Sequence, residues 1–70
     1  MNVKLNKKLY RHGTSVELID MDDIQAPPAH TRGQVLFVDD IGQIHVLWDT
    51  GSTLAINTDY DEFIIIREGY

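Results

Sequence analysis

The sequence predicts an all-β domain of five short antiparallel strands, preceded by a basic segment. Three observations carry this expectation. Between Arg32 and Ser52 two apolar runs, Gln34 to Val38 and Gln43 to Trp48, each end in an Asp-led turn that contains Gly: Asp39-Asp40-Ile41-Gly42 and Asp49-Thr50-Gly51-Ser52. Asp bonds nearby backbone N–H groups and Gly takes positive φ, which is the chemistry of a tight hairpin. Flanking runs alternate polar and apolar residues at a period of two, as half-buried strands do. No segment carries a sustained helical period.

At 70 residues the chain makes one domain at most, with marginal stability. It has no Cys, so neither disulfide nor thiolate chemistry is open to it. That accords with a cytoplasmic setting. The apolar fraction of 43% is that of a folded domain. No apolar run approaches the length that spans a bilayer. The N-terminus is basic but lacks the apolar centre of a signal peptide, so neither signal nor anchor is expected. Charge is unevenly placed. Residues 1–11 carry +4, from Lys4, Lys7, Lys8 and Arg11. The remainder sets Arg32 and Arg67 against all 11 acids, a balance of −9 and a net −5 for the chain.

Residues 1–12 form the first unit, read as a mobile basic arm. Leu5 and Leu9 could share one helical turn, but so short a helix is marginal alone. Residues 13–67 form the second unit. Its first strand covers 14–20, with Val16 and Leu18 on one face. Met21 to Thr31 is a long loop containing Pro27-Pro28, read as extended and exposed. Such loops are often binding elements. The second strand, 33–38, is apolar on both faces and is expected to be central or bulged. The third, 43–48, puts Ile44, Val46 and Trp48 on one face and His45 on the outer one. The fourth covers 53–56. Asn57 to Glu62 fits one helical turn with Asp59 at its start. The fifth strand covers 63–67, and residues 68–70 are a tail. The expected core is Val16, Leu18, Val35, Phe37, Ile44, Val46, Trp48, Leu54 and Phe63. Gly42 and Gly51 are expected at positive φ. Five hairpin-linked strands must close their edges or stick to other chains. The economical closure is a small five-stranded antiparallel SH3-like barrel. The alternative is an open meander that dimerises through an edge.

From Gly13 to Ile66 the chain resembles a bacterial family of small proteins, common in phage and mobile elements: the domain-of-unknown-function family numbered 4314. The resemblance rests on Gly13, Val16, Leu18, Gly33, Val35, Val38-Asp39-Asp40, Gly42 to Val46, Trp48-Asp49, Gly51-Ser52, Leu54-Ala55 and Asp61-Glu62-Phe63. It implies an SH3-like barrel and carries over no activity. Ala29-His30 stands where the family tends to have Pro-Gly, and Asn57-Thr58-Asp59 replaces a more apolar turn.

No catalytic pattern emerges. Ser15 and Ser52 have no base at motif spacing, and a domain this small has little room for a cleft that shifts a pKa. No cofactor is expected. Asp20, Asp22 and Asp23 fail as a calcium loop: Ile24 and Gln25 stand at a ligand and a Gly position, and Thr31 replaces the closing Glu. His12, His30 and His45 lack metal-ligand spacing, so no metal is expected. What remains is a non-catalytic interaction module. Its partner would be a protein or basic peptide, or a second copy. The candidate surface combines Asp20, Asp22, Asp23, Pro27 and Pro28 with Asp59, Tyr60 and Asp61. Acids at the rim of an aromatic groove meet basic ligands. Trp48 reads as core, beside Phe37 and Phe63. The alternative is a small nucleic-acid-binding barrel using Lys4, Lys7, Lys8 and Arg11, with Tyr10 beside them, although the acidic body opposes it.

Overall fold

The computed structural model describes residues 2–67. The expected tail, 68–70, lies outside the described residues. Helix α1 spans Val3–Leu9, and the strands are β1 (Ser15–Asp20), β2 (Arg32–Val38), β3 (Ile44–Trp48), β4 (Ala55–Ile56) and β5 (Glu62–Ile65). They form one antiparallel sheet in the order β4-β3-β2-β1-β5.

The first correction concerns residues 3–9, which form a docked helix rather than a free arm. The Asn2 side chain caps it by accepting from Leu5 N at 2.9 Å. Lys7 and Lys8 sit in its last turn, where the helix dipole favours cations. The helix is held by a polar residue. Asn6 is 6% exposed, and its Nδ2 donates to Gly42 O at 3.0 Å and to Thr58 Oγ1 at 3.5 Å. Tyr10, just past the helix, sets its ring 5.4 Å from that of Phe63. These contacts bridge the β2–β3 turn, the β4–β5 turn and β5. They supply what an isolated helix of this length lacks. Leu5 and Leu9 face solvent instead.

The second correction is at Phe37. Val35 pairs with Val46, but Phe37, not Leu36, pairs with His45. Leu36 is thus the extra residue of a β-bulge, and the alternation behind it inverts. His12 Nδ1 lies 3.1 Å from the Leu36 carbonyl oxygen. Phe37 is therefore 53% exposed on the outer face, where its ring stacks on His45 at 4.3 Å.

The buried core is Val16, Leu18, Met21, Val35, Ile44, Val46, Trp48 and Ile56, with Leu54 and Phe63 packed at its margin. Met21 and Ile56 join it unannounced by the sequence. Pro27 is also buried, against the expectation of an exposed Pro-Pro segment.

The third correction is that β4 and β5 do not pair, so the sheet is not closed into the expected barrel. The cause is local. Trp48 N bonds Ser52 O at 2.9 Å, and the Trp48 indole Nε1 donates to Leu54 O at 2.9 Å. Residues 52–54 are thereby committed to the turn and to Trp48. Only Ala55 and Ile56 remain for β4. Gly42 and Gly51 do take positive φ, 90° and 93°. At Gly51 nothing crowds an added side chain, so the cost of substitution is backbone strain alone. Gly51→Val is expected to lower stability by more than ~1 kcal/mol in urea unfolding.

Candidate functional site

Two loops meet beside β4. The first follows β1. Met21 is buried and anchors it, Ala26 N donates to Asp23 O at 3.0 Å, and Gln25 N donates to Asp23 Oδ1 at 2.8 Å. This turn holds Asp22 and Asp23 exposed at its near end. The second loop, 57–61, is organised by Asn57 rather than by Asp59. Asn57 Oδ1 accepts from Asp59 N at 2.9 Å, and Asn57 O accepts from Tyr60 N at 3.1 Å and from Asp61 N at 2.8 Å. Asn57 N in turn donates to Asp61 Oδ2 at 2.8 Å. This one-turn knot leaves Tyr60 78% exposed.

Between the loops lies an open groove of about 380 Å³. Met21, Asp22 and Asp23 form one wall, Asn57, Tyr60 and Asp61 the other, and Gln43 and Ala55 the floor. Of the eight residues expected from the sequence, Asp22, Asp23, Tyr60 and Asp61 come together here. The other four do not. Asp20 faces Glu62 across the β1–β5 ladder. Pro27 is buried, and the Pro28 carbonyl accepts from Thr31 N and Thr31 Oγ1. Asp59 is exposed on the 57–61 turn but does not line the groove. Met21, Gln43, Ala55 and Asn57 were missed. Gln43 immediately precedes β3 and Ala55 lies on β4, and only their neighbourhood across the sheet places them at the floor.

A larger cleft, of about 450 Å³, lies on the outer face against Arg32, Gln34, Leu47 and Ile66. The helix and the residues just past it carry the alternative site. Lys4, Lys8 and Arg11 are exposed, and Lys7 Nζ lies 3.4 Å from Asp40 Oδ1. Among the described residues no group of three or more His, Asp or Glu side chains is arranged to hold a metal ion. No described helix is long and apolar enough to cross a membrane.

Two carboxylate-centred clusters brace the sheet near these surfaces. Asp39 Oδ1 accepts from Ile41 N and Gln43 N, closing the β2–β3 turn, while Oδ2 lies 2.8 Å from His45 Nε2. The His45 contact, with help from those two N–H groups, holds the Asp39 carboxyl below its ordinary value. Glu17 lies 3.1 Å from His30 Nδ1 and 3.4 Å from Arg32 Nε, and the His30 contact above all lowers its pKa. His30 itself sits at φ 71°, in the left-handed region that non-glycine residues seldom adopt. Both carboxyls have lower pKa values folded than unfolded. Their stabilisation is thus present above the unfolded values, near pH 4, and is lost as pH falls through the folded ones. Thermal melts are expected to show stability declining below about pH 5. The Asp39→Asn, Glu17→Gln double variant should show a flatter profile over that range.

The helix, the bulged sheet and the two-loop groove all fall within one family match. The chain belongs to the family described as Domain of unknown function (DUF4314). The family's model matches residues 1–66, so the DUF4314 unit takes in helix α1 as well as the sheet. No curated protein and no solved structure matches this DUF4314 chain.

Proposed function

We propose that this protein is a non-catalytic interaction module that holds a basic, extended segment of another protein in the groove between residues 21–23 and 57–61. The observation that carries the proposal is the convergence of Asp22, Asp23 and Asp61 with an exposed Tyr60 around one open groove. Carboxylates at the rim attract Lys or Arg, and a tyrosine ring offers contact area at small entropic cost. The strand order supports an SH3-like barrel left open on one side, with a long loop after β1 and a single turn before β5. A cytoplasmic setting accords with the absence of cysteine. A role in a mobile element rests on the family resemblance alone.

The test is titration with a Lys/Arg-rich peptide by calorimetry at low and high salt. Binding is expected to weaken with salt, as screened rim charges require. The Asp22→Asn, Asp23→Asn pair and Tyr60→Ala should each weaken it by roughly tenfold, about 1.4 kcal/mol. Helix α1 supports a second reading, because it presents Lys4 and Lys8 four residues apart on an ordered, exposed surface. A short DNA or RNA oligomer that binds more tightly than the peptide, and is lost with Lys4→Ala, Lys8→Ala and Arg11→Ala, would replace the protein-partner reading.

A further inference from the structure

The two edges of the sheet are unequal. β4 offers two residues, whereas β5 offers Glu62–Ile65, and its ladder bonding continues through Ile66. Ile66 N donates to Ser15 O, so even-numbered residues of this strand bond inward to β1. The N–H and C=O groups of Phe63 and Ile65 therefore point along the open edge. That edge reads Phe63-Ile64-Ile65-Ile66, an uncharged, β-prone run. The strand carries one charge, the exposed Glu62 at its start, and from Phe63 to Ile66 it has none of the lysines, prolines or inward charges by which edges are usually blunted. Ile64, on the outer face, is 50% exposed. Tyr10 meets Phe63, whose side chain lies on the opposite face by strand alternation, so α1 leaves the Ile64 face open.

We propose that β5 pairs antiparallel with β5 of a second copy, joining two sheets about a two-fold axis. Symmetry and charge select the register. A two-fold axis perpendicular to the sheet pairs residues of equal parity, because opposed side chains share a face. Centring it on Ile64 sets Ile64 against Ile64 and Phe63 against Ile65, whose outward backbone groups exchange four hydrogen bonds. The same register sets Asp61 against Arg67 of the second copy, twice. Elsewhere the acidic bodies of two copies repel; along this strip they meet through the uncharged residues 63–66, with Glu62 set against Ile66 and only the Asp61–Arg67 pairs bringing opposite charges together. This surface is separate from the floor of the groove proposed above, although Asp61 borders both.

Sedimentation of the full chain against concentration tests the proposal. An interface of two strands is small, so dissociation in the micromolar range is expected and about 100 µM chain should be mostly dimer. Ile64→Lys, which opposes two charges at the axis, should give a monomer with an unchanged circular-dichroism spectrum. Arg67→Glu should weaken the dimer by roughly tenfold. Hydrogen exchange at the Phe63 and Ile65 amides should slow with concentration in the wild type and not in Ile64→Lys. A wild-type chain that stays monomeric at about 1 mM overturns the proposal. So does a dimer that survives Ile64→Lys or leaves the Phe63 and Ile65 amides unprotected.

Discussion

Replacing Trp48 with alanine is expected to cost about 3–5 kcal/mol, the range for removing a large buried aromatic side chain. Trp48 is 1% exposed and is the largest of the fully buried side chains. Its indole also satisfies Leu54 O and so fixes the turn that leads into β4. Truncation would open a cavity and free that turn together. A domain of this length has only about 4–10 kcal/mol in total. Trp48→Ala should therefore be partly unfolded at room temperature, seen in urea titration as a missing or shortened native baseline. A loss below ~1 kcal/mol would mean that the core does not depend on this residue.

Gly33→Ala is expected to cost about 3 kcal/mol, at the upper end for overpacking. Gly33 is buried in β2 opposite Trp48. A Cβ there would lie 2.7 Å from Leu47 O, 2.7 Å from Val46 Cγ1 and 3.0 Å from Trp48 Cε3. Leu47 O is a backbone atom of the neighbouring strand, so relief requires the β2–β3 ladder to part. A Gln34→Ala control, one residue along and exposed, should shift the urea midpoint little. Equal effects at the two positions would contradict the close approach of β2 and β3.

The same residue shows how far the sequence could be read. Gly33 marked the start of a strand, but its need to be Gly comes from atoms on β3 that no local pattern reveals. Asp-to-Gly spacing did locate both hairpins, because turn chemistry is local. Alternation found Val16, Leu18, Ile44, Val46 and Trp48, whose stretches keep a period of two, and Val35, which lies before the break in β2. It failed at Phe37, where one extra residue at Leu36 inverts every later side chain of the strand. It failed again at α1, whose anchor is Asn6. A polar residue buried by hydrogen bonds to Gly42 and Thr58 leaves no apolar signature, and the visible pair, Leu5 and Leu9, faces away. Barrel closure was misjudged for a related reason: the Trp48 indole bond to Leu54 O shortens β4. Half of the candidate surface was legible because Asp22, Asp23, Tyr60 and Asp61 are loop residues with no structural demand to be apolar. Its floor, Gln43 and Ala55, depends on the pairing of β3 with β4.

The groove, rather than the helix, is proposed to receive a charged partner. Backbone amide shifts of the labelled protein, followed by NMR during titration with a Lys/Arg-rich peptide, test it most directly. The amides of Met21, Asp22, Asp23, Gln43, Tyr60 and Asp61 are expected to move together and saturate, while those of Lys4, Lys7 and Lys8 stay in place. Shifts confined to α1, or none at all in the groove under low salt, would contradict it.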